Sequence, residues 1–313
     1  MNRSLREYIY ILLRGMGMGA ADVVPGVSGG TIAFISGIYE ELLNSIKSIN
    51  LTALQKLFKE GIGAFWKHIN GNFLVALFAG IFISVVTLAQ IIGKLLLTHP
   101  VLVWSFFFGL IVASAIFVAK KIKKWNAPTI IAAIVGTAVA YIITVITPAE
   151  TTEAWWFVFL SGALAICAMI LPGISGSFIL LLLGKYQFVL AAVNEVKVNV
   201  LLLLAFGAAI GLLSFSNLLS WLLKKYHNFT IALLAGFMVG SLNKIWPWKI
   251  TIETYLDSHG EPQPLIEKNV FPFVYEQQTG FESQFIFALV LAIIGFVIIW
   301  QVEKIASKNP NKV

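Results

Sequence analysis

The stretch that decides the fold is Pro25-Gly26-Val27-Ser28-Gly29-Gly30-Thr31, with its echo Pro172-Gly173-Ile174-Ser175-Gly176-Ser177. Both interrupt apolar segments. In both, a helix-breaking Pro-Gly stands directly before small hydroxyl and glycine residues that can open a new helix. A helix N-terminus presents unpaired N–H donors and a partial positive charge, which suits a phosphate or a carboxylate. Ser28 or Ser175 can cap the new helix, Gly29, Gly30 and Gly176 allow close approach to the backbone, and Thr31 and Ser177 add hydroxyls.

The surroundings of these breaks are those of a membrane. Of 313 residues 58% are hydrophobic and only 12% charged, and the mean hydropathy is +0.87, well beyond what the core of a soluble domain requires. The chain therefore reads as an all-α polytopic membrane protein. Six windows come close to the ~20 apolar residues that cross a bilayer: Phe73 to Ile92, Val101 to Ala119, Thr129 to Ile146, Val198 to Leu223, Phe229 to Ile245 and Phe285 to Trp300. The net charge of +7 sits at span ends, where lysines set orientation and meet anionic headgroups, so no nucleic-acid partner is expected. Cys167 is the single cysteine and the four histidines are scattered, so neither a disulfide nor a metal site is expected. The N-terminal segment, punctuated by Arg3, Arg6 and Arg14, does not read as a cleavable signal.

The two breaks belong to an internal duplication. Gly26, Ser28, Gly29, Gly37 and Tyr39 recur 147 residues later as Gly173, Ser175, Gly176, Gly184 and Tyr186. Farther on, Gly109-Leu110-Ile111-Val112-Ala113-Ser114 recurs at a shift of 127 as Gly236-Phe237-Met238-Val239-Gly240-Ser241. The change of shift corresponds to the amphipathic, basic stretch from Asn50 to Gly71, which the second half lacks and which suits a helix lying in the interface. The halves are expected at 1–150 and 151–313, with a polar insertion at about 249–284 in the second.

Charge placement sets their relative hand. Arg3, Lys67, the run Lys120-Lys121-Ile122-Lys123-Lys124, Lys224-Lys225 and the C-terminal lysines mark the inside, and Glu150, Glu153 and the acidic insertion mark the outside. Each half then has a Pro-Gly-broken hairpin that returns to its starting side, followed by three spans, and the odd number of crossings makes the copies inverted. Both termini are expected in the cytoplasm. Charge placement leaves open whether each hairpin is re-entrant or crosses fully; the short apolar lengths and the internal Arg14 and Asp22 favour re-entrant. Non-helical backbone at membrane depth is tolerated only against protein or water, so the two breaks should face each other across a central cavity.

Few charges lie near the motifs: Arg14, Asp22, Glu40, Glu41 and Lys185. A charge within the bilayer is costly, and where buried it points to function. Arg14 is expected to pair with Asp22 or to meet an anion, and Lys185 is a second candidate anion contact. The alternative is that Glu40, Glu41 and Lys185 mark the membrane surface.

Asp22-Val23-Val24-Pro25-Gly26-Val27-Ser28-Gly29-Gly30-Thr31 followed by Gly37-Ile38-Tyr39-Glu40 resembles the signature of the bacterial and archaeal polyprenyl-phosphate transporter family. The second motif with Gly184-Lys185-Tyr186 fits the same pattern, and the resemblance covers essentially the whole chain. It implies a plasma-membrane flippase that returns undecaprenyl phosphate, the lipid carrier of cell-wall synthesis, from the outer to the inner leaflet. The substrate-binding residues expected on this reading are Arg14, Ser28, Gly29, Gly30, Thr31, Ser175, Gly176, Ser177 and Lys185. The polyprenyl tail would stay in lipid through a lateral apolar opening. No cofactor is implied; coupling to a proton or sodium gradient would draw on Asp22 or Glu40, and Tyr39 and Tyr186 are the matched gating candidates.

Two rival readings remain. Undecaprenyl pyrophosphate phosphatases of the bacitracin-resistance type also carry inverted repeats and a Pro-Gly-x-Ser-Arg-Ser motif. Gly29 stands here where that arginine would be, which removes the charge phosphoryl transfer needs. The other rival is a carrier for a small inorganic anion.

Overall fold

The computed structural model describes residues 3–24, 27–148, 151–256 and 262–308, so Pro25, Gly26 and Glu150 lie outside the described residues. The first half runs through α1 (Leu5–Val23), α2 (Gly29–Ile35), α3 (Tyr39–Lys47), α4 (Leu51–Glu60), α5 (Ile62–His68), α6 (Gly71–Thr98), α7 (Pro100–Lys120) and α8 (Ala127–Val145). The second comprises α9 (Trp155–Ile170), α10 (Gly176–Leu182), α11 (Tyr186–Asn194), α12 (Val198–Lys225) and α13 (His227–Ser241). An antiparallel hairpin of β1 (Lys249–Leu256) and β2 (Pro262–Asn269) follows, then α14 (Pro272–Thr279) and α15 (Phe285–Lys308).

Among the described residues five helices are long and apolar enough to cross a membrane: α6, α7, α8, α12 and α15. The sixth expected span, 229–245, is only the 15-residue α13. Its Leu234, Ala235 and Met238 are buried, so protein rather than lipid satisfies it. Two-thirds (67%) of the α7 window is likewise buried, against 33% or less in the other spans. α7 and α13 therefore form the centre, packed against each other, with α15 on α7, α8 on α13, α1 on α6 and α9 on α12.

Glycines set these packings, because without a Cβ two helix backbones come together directly. A Cβ on Gly15 or Gly19 of α1 would overlap backbone of α6, and one on Gly80 of α6 would overlap α1; Gly162, Gly207 and Gly211 do the same between α9 and α12. Gly109 and Gly295 lock α7 to α15, and Gly236 and Gly136 lock α13 to α8. Gly15 and Gly162 stand at the 147 shift, Gly80 and Gly207 at 127, and Gly109 and Gly236 at 127. Gly236→Leu is expected to lower stability by about 1–3 kcal/mol, the usual range for overpacking, read as a lower melting temperature in detergent; Gly61→Leu, in open space, differs only by strain at its positive φ.

Two expectations are corrected. The chain is not all-α: Lys249-Ile250-Thr251-Ile252-Glu253-Thr254-Tyr255-Leu256 is a β-branched run that pairs with β2 from Lys249↔Asn269 to Leu256↔Pro262. The helical spacing that resumes over Ile32 to Ile49, and the apolar run from Phe178 to Leu190, also do not form continuous helices. Gly37 (φ 79°) and Gly184 (φ 61°) each end a short helix. The amide of Ile38 donates to Ala33 O and that of Gly37 to Phe34 O, and Lys185 and Gly184 repeat this on Leu180 and Leu181. These are paired Schellman ends, which need a left-handed residue, and α10 and α11 meet at a bend of 108°.

The amphipathic stretch forms α4 and α5, divided at Gly61 (φ 88°). Leu51, Phe58 and Ile62 are among the most exposed apolar side chains, the arrangement of helices that lie on a bilayer surface.

Candidate functional site

The first break is closed by its own side chains. Asp22, in the last turn of α1, accepts the Gly29 amide at 2.7 Å, and the Ser28 hydroxyl accepts the Gly30 amide at 3.1 Å. The N-terminal donors of α2 that could meet an anion are thus already paired, the carboxylate standing where the helix dipole favours negative charge. Ser28, Gly29, Gly30 and Thr31 are all buried. At the second break Ser175 makes no such cap; its hydroxyl pairs with that of Ser177 at 2.8 Å, and Ser177 is exposed.

The two breaks meet directly, by interlocking, rather than across the expected central cavity. Ser28 Oγ donates to Met169 O at 2.9 Å, the Gly173 amide donates to Thr31 Oγ1 at 3.0 Å, and Tyr39 OH donates to Ile170 O at 3.1 Å. Gly30 lies directly on the Ile170 carbonyl. Among the described residues the two breaks are thus in direct hydrogen-bond contact in this conformation.

A cavity lies on each side of the interlock. The first, about 610 Å³, is lined by Phe34, Tyr39, Glu40, Lys121, His227 and Ile231, among others. At its rim Arg3 holds Glu41 through both guanidinium nitrogens at 2.7 and 2.8 Å, and Asn70 Nδ2 donates to the same carboxylate at 2.7 Å. Lys121 stands over the Phe34 ring at 5.1 Å; burial lowers its pKa, against the opposing pull of Glu303 and Glu40. The second cavity, about 540 Å³, is lined by Pro100, Trp104, Ser177, Leu181, Tyr186, Lys244, Lys249 and Glu267, with Leu96, Leu97 and Phe178 as apolar wall.

The cavities match each other at four lining positions. Phe34 and Tyr39 of the first correspond to Leu181 and Tyr186 of the second at the 147 shift, and Pro100 and Trp104 of the second to His227 and Ile231 of the first at 127. They also lie at opposite helix ends. The second cavity takes the start of α7 and the turn after α13, while the first takes the start of α13 and Lys121 just beyond α7. The matched helices α7 and α13 therefore run in opposite directions, and the 21 residues of α7 put the cavities about 30 Å apart along its axis.

The expected site residues divide accordingly. Ser177 and Tyr186 line the second cavity and Tyr39 and Glu40 the first, while Ser28, Gly29, Gly30, Thr31 and Asp22 form the interlock. Gly176 packs on the Ala165 carbonyl, and Ser175 is buried. Arg14 does not reach Asp22 and, among the described residues, lines neither cavity: eight residues of helix separate the two side chains by about 12 Å. Lys185 lines neither of these two cavities. It is 2% exposed, donates to Thr151 O at 2.9 Å and packs between the rings of Phe157 and Phe188.

The cations of the second cavity, Lys244 and Lys249, lie outside that set, as do Arg3 and Lys121 of the first. Lys244 Nζ is 3.0 Å and Lys249 Nζ 3.5 Å from the same oxygen of Glu267, and Lys249 also sits 3.6 Å from the centre of the Trp104 ring. Burial pushes the Lys249 ammonium down to about 7 despite the pull of Glu267. Burial acts upward on Glu267, but Lys249 and Lys244 outweigh it and hold the carboxyl below its ordinary range. Lys244 had a signal in the sequence: it is a lysine inside an apparent span, where the matching position of the first half is Phe117.

Residues 18–263 match the family described as undecaprenyl phosphate translocase-like. A protein of Vibrio cholerae named as a polyprenyl-phosphate transporter is 49% identical over 302 residues, covering 96% of this chain and 98% of its own length. A Staphylococcus aureus protein of the same name is 30% identical over 254 residues, 75% of this chain and 85% of its own. No solved structure gives a significant match.

Proposed function

The chain belongs to the undecaprenyl phosphate translocase-like family, and from that premise we propose that it moves undecaprenyl phosphate between the leaflets of the plasma membrane by alternating access. The observation that carries this reading is the pair of matched cavities at opposite ends of α7 and α13, separated by the interlocked breaks. A carrier needs a pathway that opens to one side at a time, and two matched half-sites around a single closure supply it. The relatives are named as transporters, and the chain is read accordingly as a carrier and not an enzyme.

The antiparallel run of α7 and α13 and the recurrence of glycine locks at the 147 and 127 shifts support an inverted duplication of 1–150 and 151–313. Each half has a re-entrant broken hairpin and three spans, α13 serving as the short middle span of the second. With the basic ends in the cytoplasm, the first cavity faces inward and the second outward, and net transport returns the lipid to the inner leaflet. In this conformation the first motif serves as the gate. Its Ser28, Gly29, Gly30 and Thr31, with Ser175 and Gly176 opposite, become headgroup ligands when the interlock opens, whereas Ser177 is already open to the outer cavity. Asp22 and Glu40 remain the candidates for coupling to a proton or sodium gradient.

The tail has a route as well. A groove of about 630 Å³ between α8 and α13 is lined by Ala133, Ile134, Thr137, Ala138 and Val239 and ends at Tyr141 and Asn243. A smaller recess of about 370 Å³ continues from those two residues to Lys244 and Lys249. An isoprenoid chain lying there would remain in contact with lipid.

The test is a leaflet-resolved assay with labelled undecaprenyl phosphate in proteoliposomes. The expected result is equilibration between leaflets, at least tenfold faster than in protein-free vesicles (about 1.4 kcal/mol of barrier), with no release of inorganic phosphate. Equal rates, or release of phosphate, would refute the reading.

A further inference from the structure

The Lys244–Glu267–Lys249 cluster is an unusual arrangement for a structural contact. The side chains are 15%, 15% and 6% exposed, yet all three line the cavity, as does Ser177. Lys249 Nζ is buried and makes no hydrogen bond among the described residues, its approach to Glu267 being a looser ion pair. Two ammonium groups share one carboxylate oxygen, so one carboxylate carries the charge balance of two buried cations. A phosphomonoester, with more charge and three terminal oxygens, would satisfy both lysines better than a carboxylate does.

The connection to the rest of the chain points the same way. Glu267 belongs to β2, in the insertion that has no counterpart in the first half, and lies beyond the residues 18–263 that match the family. Lys244 follows the central helix α13, and Lys249 begins β1. The cations are thus fixed to the core of the carrier, while the counter-charge is delivered by the added hairpin.

We propose that Lys244 and Lys249, with Ser177, form the phosphate-binding site of the second cavity, and that Glu267 is a built-in substitute for the headgroup which the arriving phosphate displaces. The proposal rests on the translocase reading and specifies where the headgroup is first held. Glu267 keeps the two cations from repelling each other before binding, and lowers affinity by competing with the ligand. The anion required is a phosphate monoester; a lipid headgroup and free inorganic phosphate share that chemistry, and the apolar wall of Leu96, Leu97, Phe178 and Leu181 selects the former.

Binding of labelled farnesyl phosphate to the purified full-length chain in nanodiscs tests this, with inorganic phosphate and farnesol as competitors. Glu267→Gln is expected to tighten binding about fivefold or more, a gain that no folding defect can imitate. Lys244→Met and Lys249→Met are each expected to weaken it about thirtyfold or more, the order found when one partner of a buried charge pair is removed. Unlabelled farnesyl phosphate should compete, while equal inorganic phosphate and farnesol should not; full competition by inorganic phosphate would overturn the lipid assignment. Unchanged or weaker binding in Glu267→Gln overturns the displacement. The two readings fail differently: a wild-type chain that binds farnesyl phosphate but does not move undecaprenyl phosphate contradicts the translocase function. Normal translocation with Glu267→Gln binding unaltered contradicts only this site.

Discussion

Gly30→Ala is expected to destabilise the protein by about 1–3 kcal/mol and to reduce translocation at least tenfold, because a single methyl there has nowhere to go. A Cβ on Gly30 would overlap the Ile170 carbonyl and press on that of Met169. Both are backbone atoms of the opposite half, so no rotamer change relieves the contact. The same two residues accept hydrogen bonds from Tyr39 and Ser28, so pushing them away breaks the interlock along with the packing. Gly17→Ala is the matched control. Its nearest neighbour is the flexible Ile32 Cγ2 at 3.3 Å, and it should melt within about 1 kcal/mol of wild type, in line with a substitution that removes no packing or partner.

Asp22→Ala is expected to cost about 1–3 kcal/mol, the penalty for a buried amide left without its acceptor, while Asp22→Asn should recover most of that loss. The carboxylate takes the Gly29 amide at 2.7 Å, and Asn keeps an oxygen in the same place. What Asn lacks is the charge that complements the α2 dipole, usually about 0.3–1 kcal/mol. The pair of variants therefore separates capping from charge: comparable melting temperatures for Asn and wild type, with Ala well below both, would confirm that Asp22 holds the break closed through its oxygen. If Asp22 also carries a coupling proton, only the Asn variant, folded but uncharged, would lose its response to an imposed gradient.

Much of this architecture is legible in the sequence because it follows from local chemistry. Pro-Gly ends helices wherever it stands, and the repeats at 147 and 127 place the glycines on which the helices pack. The second bend, at Gly37 and Gly184, escaped because apolar spacing continues on both sides; only the positive φ of the glycine separates α2 from α3. Site residues were harder for a different reason. Lys185 reads as a lone cation near the motif, but its partners, Thr151, Phe157 and Phe188, are set by how α9 folds back. Lys249 reads as the border of a loop, and becomes a buried cation only when β2 brings Glu267 across it. The breaks themselves meet, but directly rather than across a cavity, and Asp22 and Ser28 occupy donors that the sequence leaves free for an anion.

The central claim is that the two matched cavities open to opposite sides and serve one lipid. It is tested most directly by single cysteines placed in each, Asn44→Cys in the first and Ser177→Cys in the second, with Cys167 replaced by alanine. Oriented proteoliposomes are treated from one side at a time with a membrane-impermeant thiol reagent, with and without undecaprenyl phosphate. Labelling of the two positions from opposite sides, each slowed by the lipid, is the predicted result. Labelling of both from the same side, or at rates the lipid leaves unchanged, would contradict the account.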